Sequence, residues 1–255
     1  GLLADLVLIG SNPAVGSLAS LRDPELVIIR GEGLERWDLE DRAANLMATQ
    51  QEARARLGRE LDIPAPDMPA GEVLLTGRTQ TEAARLIEGW QRLAEQVDFP
   101  VLLETHRYRL TNDLFFTLDL LAQMPDLKLL ADLSHYVVGR ELPEPGAAED
   151  DEQIRTILRH SWGFHGRVAS SEQVQVSLAF PRHQPWVQRF TRWWRYGIED
   201  WLARPDTPHS LSFTCELGPP PYAITGADGR EISDRWAEAL QLKALIRDVW
   251  QACRT

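Results

Sequence analysis

The segment Val101–His135 constrains the fold more than any other part of this chain. Its two short apolar runs, Val101–Leu103 and Leu127–Ala131, are each followed directly by a carboxylate, Glu104 after the first and Asp132 after the second. The residues between the runs carry leucines at helical spacing. Strand, helix and strand therefore follow one another, with an ionisable group at the carboxyl end of each strand. In a barrel of parallel strands those ends open onto one face, and that face holds the active site.

The same alternation extends along the chain. Strand-like apolar runs are found at Asp5–Gly10, Glu25–Gly31, Glu72–Gly77, Val101–Glu104, Leu127–Asp132, Trp162–His165 and Leu211–Glu216. Helical periodicity between most of them predicts parallel strands joined by right-handed crossovers. The length of 255 residues suits one α/β domain over residues 1–255, a (β/α)8 TIM barrel. Seven runs are one short of that barrel, so we expect the first strand to be missing, degenerate or hidden near the start. A trimmed or lost upstream segment would explain the absence of a starting Met.

Helix starts are predicted at three places. Thr111 or Asn112 is placed to cap the helix of the central segment. Thr79 and Glu82 have capping-box spacing. Pro185 suits the first turn of a later helix, whose tryptophans we interpret as packing residues rather than a binding surface. Those tryptophans are Trp186, Trp193, Trp194 and Trp201.

Two connecting segments interrupt the alternation. Arg140–Asp151 is acidic and contains prolines, which is typical of a surface excursion. Ala169–Gln184 is long for a connection between a strand and a helix, and it follows closely after His165. We therefore interpret Ala169–Gln184 as a candidate lid over the active site.

Composition excludes several classes of function. The formal net charge of -11 argues against a nucleic-acid surface, which normally carries a basic patch. No apolar run is long enough to span a bilayer, and no charged-then-apolar leader precedes Gly1. Cys215 and Cys253 are too few for a disulfide framework, which favours a reducing, cytoplasmic location. The sequence leaves open whether copies of the chain form a homo-oligomer.

Four strand-like runs end in residues that bind metals. These are Glu104, Asp132, His165 and Glu216. A single acidic residue at a strand end is more often a helix cap or a surface charge, but four such ends in succession predict one shared site. Three carboxylates and one imidazole favour Mn²⁺, Mg²⁺ or Co²⁺ over Zn²⁺. Cys215 should point away from the side that Glu216 occupies, since neighbouring residues of a strand alternate between faces.

The ordered motifs also resemble a known family. They are LLTGRT at Leu74–Thr79, LLETHRYRLT at Leu102–Thr111, DLSHYVV at Asp132–Val138, FHGRV at Phe164–Val168 and CELGPPPY at Cys215–Tyr222. Their set and order resemble the xylose-isomerase-like barrel superfamily, the sugar phosphate isomerase/epimerase family of carbohydrate metabolism. The chain departs from that pattern after Arg167, where SSEQVQVS stands in place of an expected Gly-Pro-Gln turn. The amino-terminal third also matches poorly.

The resemblance implies roles for individual residues. Glu104, Asp132, His165 and Glu216 would be ligands of a divalent metal, with Glu104 and Glu216 also acting as the acid–base pair. A metal that chelates a carbonyl and the neighbouring hydroxyl of a sugar acidifies the C–H bond between them and stabilises an enediolate. One carboxylate removes the proton and the other returns it, which isomerises or epimerises the sugar. The candidate substrate-binding residues are His135, Arg167, His106, Arg78 and Arg109.

The sequence leaves the nature of the substrate open. Arginines are expected at the same face of the barrel, namely Arg30, Arg78, Arg107, Arg109 and Arg167. Guanidinium groups suit a carboxylate or a phosphate, which favours an anionic sugar derivative. The alternative is that these arginines are surface ion-pair partners and that the substrate is a neutral sugar. His106 is either a substrate contact or a support for Glu104.

Three other functions remain as alternatives. The first is metal-dependent phosphoester hydrolysis, as in the nuclease branch of the same fold, although such sites need more histidines on the early strands. The second is a barrel that binds a sugar without converting it. The third is recognition of the segment Pro219–Tyr222 by a WW domain, because PPPY resembles a short polyproline ligand.

Overall fold

A computed structural model describes residues 5–10, 27–28, 80–95, 100–205, 207 and 210–254. For 5–10 and 27–28 it describes the backbone path alone. The predicted strand Glu72–Gly77 and the residues Arg30, Arg78 and Thr79 lie outside these ranges, so the predictions made for them stay predictions.

The described part of the chain is a mixed α/β fold. Its strands are β1 Asp5–Gly10, β2 Val27–Ile28, β3 Leu103–Glu104, β4 Leu129–Ala131, β5 Ser161–His165 and β6 Ser210–Cys215. Its helices are α1 Gln80–Ala94, α2 Leu114–Gln123, α3 Ser134–Gly139, α4 Ala148–Arg159, α5 Gln184–Ala203 and α6 Arg235–Cys253, with a 3₁₀ turn at Pro181–His183. None of the described helices combines the length and the apolar character needed to cross a lipid bilayer.

The strands form one sheet in the order β2-β1-β6-β5-β4-β3. Strands β3 to β6 pair with one another in parallel, as the alternation of strands and helices predicts. Strand β1 also pairs in parallel with β6. Closure into an eight-stranded barrel goes beyond these pairings and stays a prediction.

The predicted direction of the run Glu25–Gly31 is wrong. The described part of this run, Val27–Ile28, is a strand that pairs antiparallel with β1. A parallel neighbour requires a crossover connection that is usually helical. The sequence between the two strands contains Pro13, Gly16 and Pro24, which favour turns and give no helical period.

The helix in the central segment begins one residue later than its predicted caps. Asp113 is the N-cap of α2, and its side chain accepts a hydrogen bond from Phe116 N–H at 2.8 Å. Thr111 and Asn112 serve the preceding loop instead. The Thr111 hydroxyl donates to the Glu104 carbonyl at 2.6 Å, and Asn112 Oδ1 accepts from Tyr108 N–H at 2.7 Å. The predicted cap residues therefore stabilise the backbone around Glu104.

Helix α5 packs directly against the strands that carry the candidate site. Its four tryptophans are buried, as the sequence predicts for packing residues. A Cβ atom added at Gly197 would lie 2.8 Å from the ring of Phe164 in β5, so α5 approaches that strand closely. The Trp194 ring meets Phe213 of β6 edge-on, with 5.3 Å between ring centroids. This aromatic layer supports the outer face of β5 and β6.

Candidate metal centre

The four predicted ligands converge at the carboxyl ends of neighbouring parallel strands. Glu104 ends β3 and His165 ends β5, whereas Asp132 and Glu216 directly follow β4 and β6. One donor atom from each residue lies within 4.8 Å of the donor atoms of the other three. Asp132 is buried and the other three are partly exposed, so the cluster is accessible from solvent. This group can hold a metal ion.

Asp132 is held in place by hydrogen bonds with Thr105, which follows β3, and with Ser134, two residues further along the chain. The buried Thr105 hydroxyl donates to the Asp132 carbonyl at 2.9 Å and accepts from Asp132 N–H at 2.8 Å. Ser134 donates to Asp132 Oδ1 through its backbone N–H at 3.0 Å and through its hydroxyl at 2.5 Å. Both the backbone and one carboxylate oxygen of Asp132 are thereby fixed. Neither Thr105 nor Ser134 was predicted, although Ser134 lies at the spacing of an Asx turn.

His165 lies between the two glutamates. Its Nδ1 atom is 3.0 Å from Glu104 Oε1 and 2.6 Å from Glu216 Oε2. Burial alone would lower the pKa of His165, but the two carboxylates raise it to about 10. Beyond these ion pairs, Nδ1 and Glu216 Oε2 are both buried with no hydrogen bond to another described residue. Nitrogen and oxygen donors this close to one another fit a shared cation.

Arg167 neutralises two of the carboxylates. Its side chain is 2% exposed, and Nη2 lies 2.9 Å from Asp132 Oδ2 and 2.7 Å from Glu216 Oε1. Burial alone would raise the pKa of Glu216, but His165 and Arg167 hold that pKa well below its usual range. Arg167 Nε is buried without a hydrogen-bond partner in the described chain. The guanidinium that was predicted to contact substrate therefore also supports the ligand set.

His135 is fully buried beside Asp132. Its Nε2 atom lies 3.5 Å from Asp132 Oδ2, and neither ring nitrogen has a hydrogen-bond partner among the described residues. Burial, together with nearby cations, lowers the pKa of His135 to about 3, so the imidazole is neutral at physiological pH. The ring of His106 packs against it, with 3.8 Å between centroids. His106 Nδ1 lies 2.5 Å from the Arg107 carbonyl, which can only accept, so Nδ1 is the donor in this hydrogen bond.

Two arginines contact the ring of Tyr222, a residue that was not predicted to lie at the site. The guanidinium carbons of Arg107 and Arg167 lie 5.6 Å and 5.1 Å from the ring centroid. Arg107 has no ion pair with any residue that the structure describes. Arg109 donates to the Tyr108 carbonyl at 2.9 Å, and none of its described contacts is with the four clustered residues. The predicted substrate-binding residue Arg78 lies outside the described ranges.

Cys215 is separate from the cluster, as strand alternation predicts. It is buried in the apolar core, and burial raises the pKa of its thiol to about 12. A neutral, core-packed thiol does not bind a metal well, since the ligand form is the thiolate.

No protein-family model, curated protein or solved structure matches the chain. In the site itself, three carboxylates and an imidazole lie close together, and a buried arginine and two histidines lie beside them.

Proposed function

We propose that this protein is a (β/α)8 barrel enzyme, a divalent-metal-dependent isomerase or epimerase of a sugar, sugar acid or sugar phosphate. The observation that carries the proposal is the convergence of Glu104, Asp132, His165 and Glu216 at one end of the parallel strands. The ordered motifs around these four residues, which resemble the xylose-isomerase-like superfamily, add support.

The pairing of β1 with β6 supports the barrel. β1 is the first described strand and β6 the last, and they pair in parallel from Asp5 with Ser210 to Gly10 with Cys215. A closed barrel requires its first and last strands to be neighbours. The order β3, β4, β5, β6, β1 in the sheet is the order that such a ring would have.

Glu104, Asp132, His165 and Glu216 would hold the cation. Mn²⁺, Mg²⁺ or Co²⁺ suits this mostly oxygen ligand set better than Zn²⁺. The chemistry that such an ion supplies when bound is Lewis acidity towards a carbonyl and its neighbouring hydroxyl, which acidifies the C–H bond between them. Ligation by His165 requires its neutral form, so binding displaces the proton that the two glutamates stabilise in the metal-free protein.

The two glutamates move the substrate proton in this proposal. Glu104 and Glu216 are both about one-third exposed, at 36% and 33%, so each can reach a substrate from its own strand. Among the described residues, Glu104 has one cationic neighbour, His165, whereas Glu216 has both His165 and Arg167. One glutamate removes the proton from carbon and carries it. Either that glutamate gives the proton back to the neighbouring carbon, or the other glutamate delivers a proton that it has first taken up from solvent. His135, in its neutral form, offers ring nitrogens to a substrate hydroxyl.

Arg107 supports the anionic form of the substrate. It adds a positive charge next to Tyr222 and Arg167, and no described carboxylate neutralises it. Because guanidinium groups bind carboxylates and phosphates well, a sugar acid or sugar phosphate would place its charged group here. His106 and Arg167 complete the proposed contacts, and Arg78 and Arg109 remain candidates.

The proposal is tested by binding and by proton exchange. Calorimetric titration with Mn²⁺ should show one site per chain, lost in a Glu104→Ala/Asp132→Ala double variant. The Mn²⁺-loaded protein is then incubated in deuterated water with a panel of ketoses, sugar acids and ketose phosphates. Deuterium at the carbon next to the carbonyl, seen by NMR, is the expected result. Mn²⁺ binding without exchange on any member of the panel would favour a sugar-binding protein over an enzyme.

A further inference from the structure

The segment that follows Arg167 is hydrogen-bonded to the ends of two strands. Val176 N–H donates to the Val168 carbonyl at 2.9 Å, and Ser170 N–H donates to the Gln173 carbonyl at 2.8 Å. These bonds close a compact turn, residues 168–176, directly after β5 and its continuation through Arg167. Val168, Ala169 and Val176 are buried in the core. The first half of the predicted lid Ala169–Gln184 is therefore packed against the strand ends in this structure, and its movement stays a prediction.

Gln175, at the end of this turn, both donates a hydrogen bond to the backbone of Gly218 and accepts one from it, two residues beyond Glu216. Its Nε2 atom donates to the Gly218 carbonyl at 3.0 Å, and its Oε1 atom accepts from Gly218 N–H at 2.7 Å. The side chain is 6% exposed, so both bonds are sheltered from water. When the donor and the acceptor of a buried side-chain amide both bond to the same residue, they hold the backbone of that residue in a single position.

The segments on both sides of the contact between Gln175 and Gly218 are also bonded to α6. Ser177, two residues after Gln175, makes a short hydrogen bond to the buried Glu238 of α6. Arg235, also in the first turn of α6, donates to the Leu217 carbonyl at 3.3 Å. On the opposite side, a Cβ atom added at Gly218 would lie 3.0 Å from Cβ of Tyr222. Gly218 is therefore held between Gln175 and Tyr222, with Glu216 two residues away.

We propose that Gln175 is a positioning residue that sets the place of Glu216 relative to His165 and Arg167. The turn 168–176 begins directly after Arg167 and is closed by the hydrogen bond from Val176 to Val168. Gln175, within this turn, bonds to the segment that follows Glu216. The amide therefore connects the end of β5 to the end of β6. This inference rests on the proposed function, since it takes the cluster to be a metal centre.

The test compares two variants that each remove one buried hydrogen-bonding side chain from the same segment. Gln175→Met keeps the approximate shape of the side chain and removes both bonds to Gly218. Ser177→Ala is the matched control, because it removes the bond to Glu238 and leaves the Gln175 amide in place. Mn²⁺ affinity is measured by calorimetry, thermal stability by circular dichroism, and exchange of the Gly218 amide proton by NMR in the metal-free protein.

We expect Gln175→Met to weaken Mn²⁺ binding about tenfold or more, the range found when groups that orient ligands are removed. Exchange at the Gly218 amide should become faster in the same variant. Ser177→Ala should lower the melting temperature while its Mn²⁺ affinity stays within about twofold of wild type. Equal losses of affinity in the two variants, or none in Gln175→Met, would overturn the role of Gln175 and leave the metal centre standing. A wild-type protein that binds no Mn²⁺ would instead overturn the proposed centre, and the role of Gln175 with it.

A second variant keeps the test decisive if Gln175→Met does not fold. Gln175→Glu retains an acceptor for Gly218 N–H, loses the donor to the Gly218 carbonyl and adds a negative charge. That charge alone would tighten cation binding. Weaker Mn²⁺ binding by Gln175→Glu therefore supports the positioning role, whereas tighter or unchanged binding contradicts it.

Discussion

The two glutamates of the cluster are equally accessible but are built into the protein in different ways. Glu216 follows the six-residue strand β6, and its Oε1 atom lies 2.7 Å from Arg167 Nη2. It also lies two residues from Gly218, whose backbone Gln175 binds. Glu104 ends the two-residue strand β3, and His165 is its one ionic partner among the described residues. Accessibility does not separate them, since the exposures are 33% and 36%.

This difference indicates a division of labour between the two sides of the site. His165 and Arg167 hold the pKa of Glu216 low, which favours its role as a ligand over its role as a base. Glu104 has a single ionic partner, His165, among the described residues, so it is the better candidate to take the first proton from substrate.

The largest expected effect is the loss of turnover on removing either glutamate base. Glu104→Gln and Glu216→Gln keep an oxygen donor but remove the base, so turnover should fall by about 10²–10⁴ even with saturating metal. Asp132→Asn should be partly restored by excess metal, because the proposed mechanism gives Asp132 only a binding role. Turnover is measured at several Mn²⁺ concentrations. If excess metal restores all three variants alike, the proton transfer must be reassigned, with His135 the first candidate.

Removing the buried Arg167, which pairs with Glu216, should lower the free energy of unfolding. Arg167→Met leaves Asp132 buried without its cation, and breaking such a pair typically costs about 3–5 kcal/mol. The matched control is Arg155→Met on α4, whose partner Glu152 is 58% exposed and whose loss should cost about 0–1 kcal/mol. Urea unfolding of the metal-free proteins measures both. Similar losses in the two variants would mean that Arg167 does not support the ligand set.

The pH dependence of stability should reveal the His165 ion pairs. The pKa of His165 is raised from 6.5 to about 10 in the folded, metal-free protein. Its contribution to stability is therefore fully present below pH 6.5 and is lost as the pH rises through about 10. Unfolding free energies between pH 6 and pH 10 should fall in wild type and fall less in His165→Gln. A parallel decline in both proteins would show that another group causes it.

The smallest expected effect concerns the charge of the substrate. Arg107→Met should weaken binding of a ketose phosphate to the Mn²⁺-loaded protein by about tenfold, because one charge-assisted hydrogen bond is lost. Binding of the matching neutral ketose should change little. Arg155→Met, which also removes an arginine packed on a tyrosine ring, is the control for general effects. Equal losses for the two sugars would remove the argument for an anionic substrate.

Much of the candidate site was predictable because strand ends are marked in the sequence. An apolar run that stops at a carboxylate or histidine records where a buried strand meets solvent, and Glu104, Asp132, His165 and Glu216 all follow this pattern. Parallel pairing of β3 to β6 then places those ends at one edge of the sheet. The aromatic packing of α5 was predictable for a similar reason, since helical periodicity is local.

Other features depended on partners that are distant in sequence. The antiparallel pairing of β2 depends on which strand lies beside it, and local pattern does not encode that. Thr105, Gln175 and Tyr222 gain their roles from contacts with Asp132, Gly218 and the arginines. The cap at Asp113 was missed because three polar residues in a row all suit an N-cap, and only the backbone path selects one.

The sequence by itself determined the kinds of donor in the cluster and the ends of the strands that carry them. It also determined the amphipathic helices, since those patterns arise from burial along a single segment. Only the tertiary structure decided that Arg167 is buried between two carboxylates and that Gln175 holds the backbone beyond Glu216. Hydrogen bonds and ion pairs of this kind are short-ranged and directional, so they exist only once separate strands have been packed side by side.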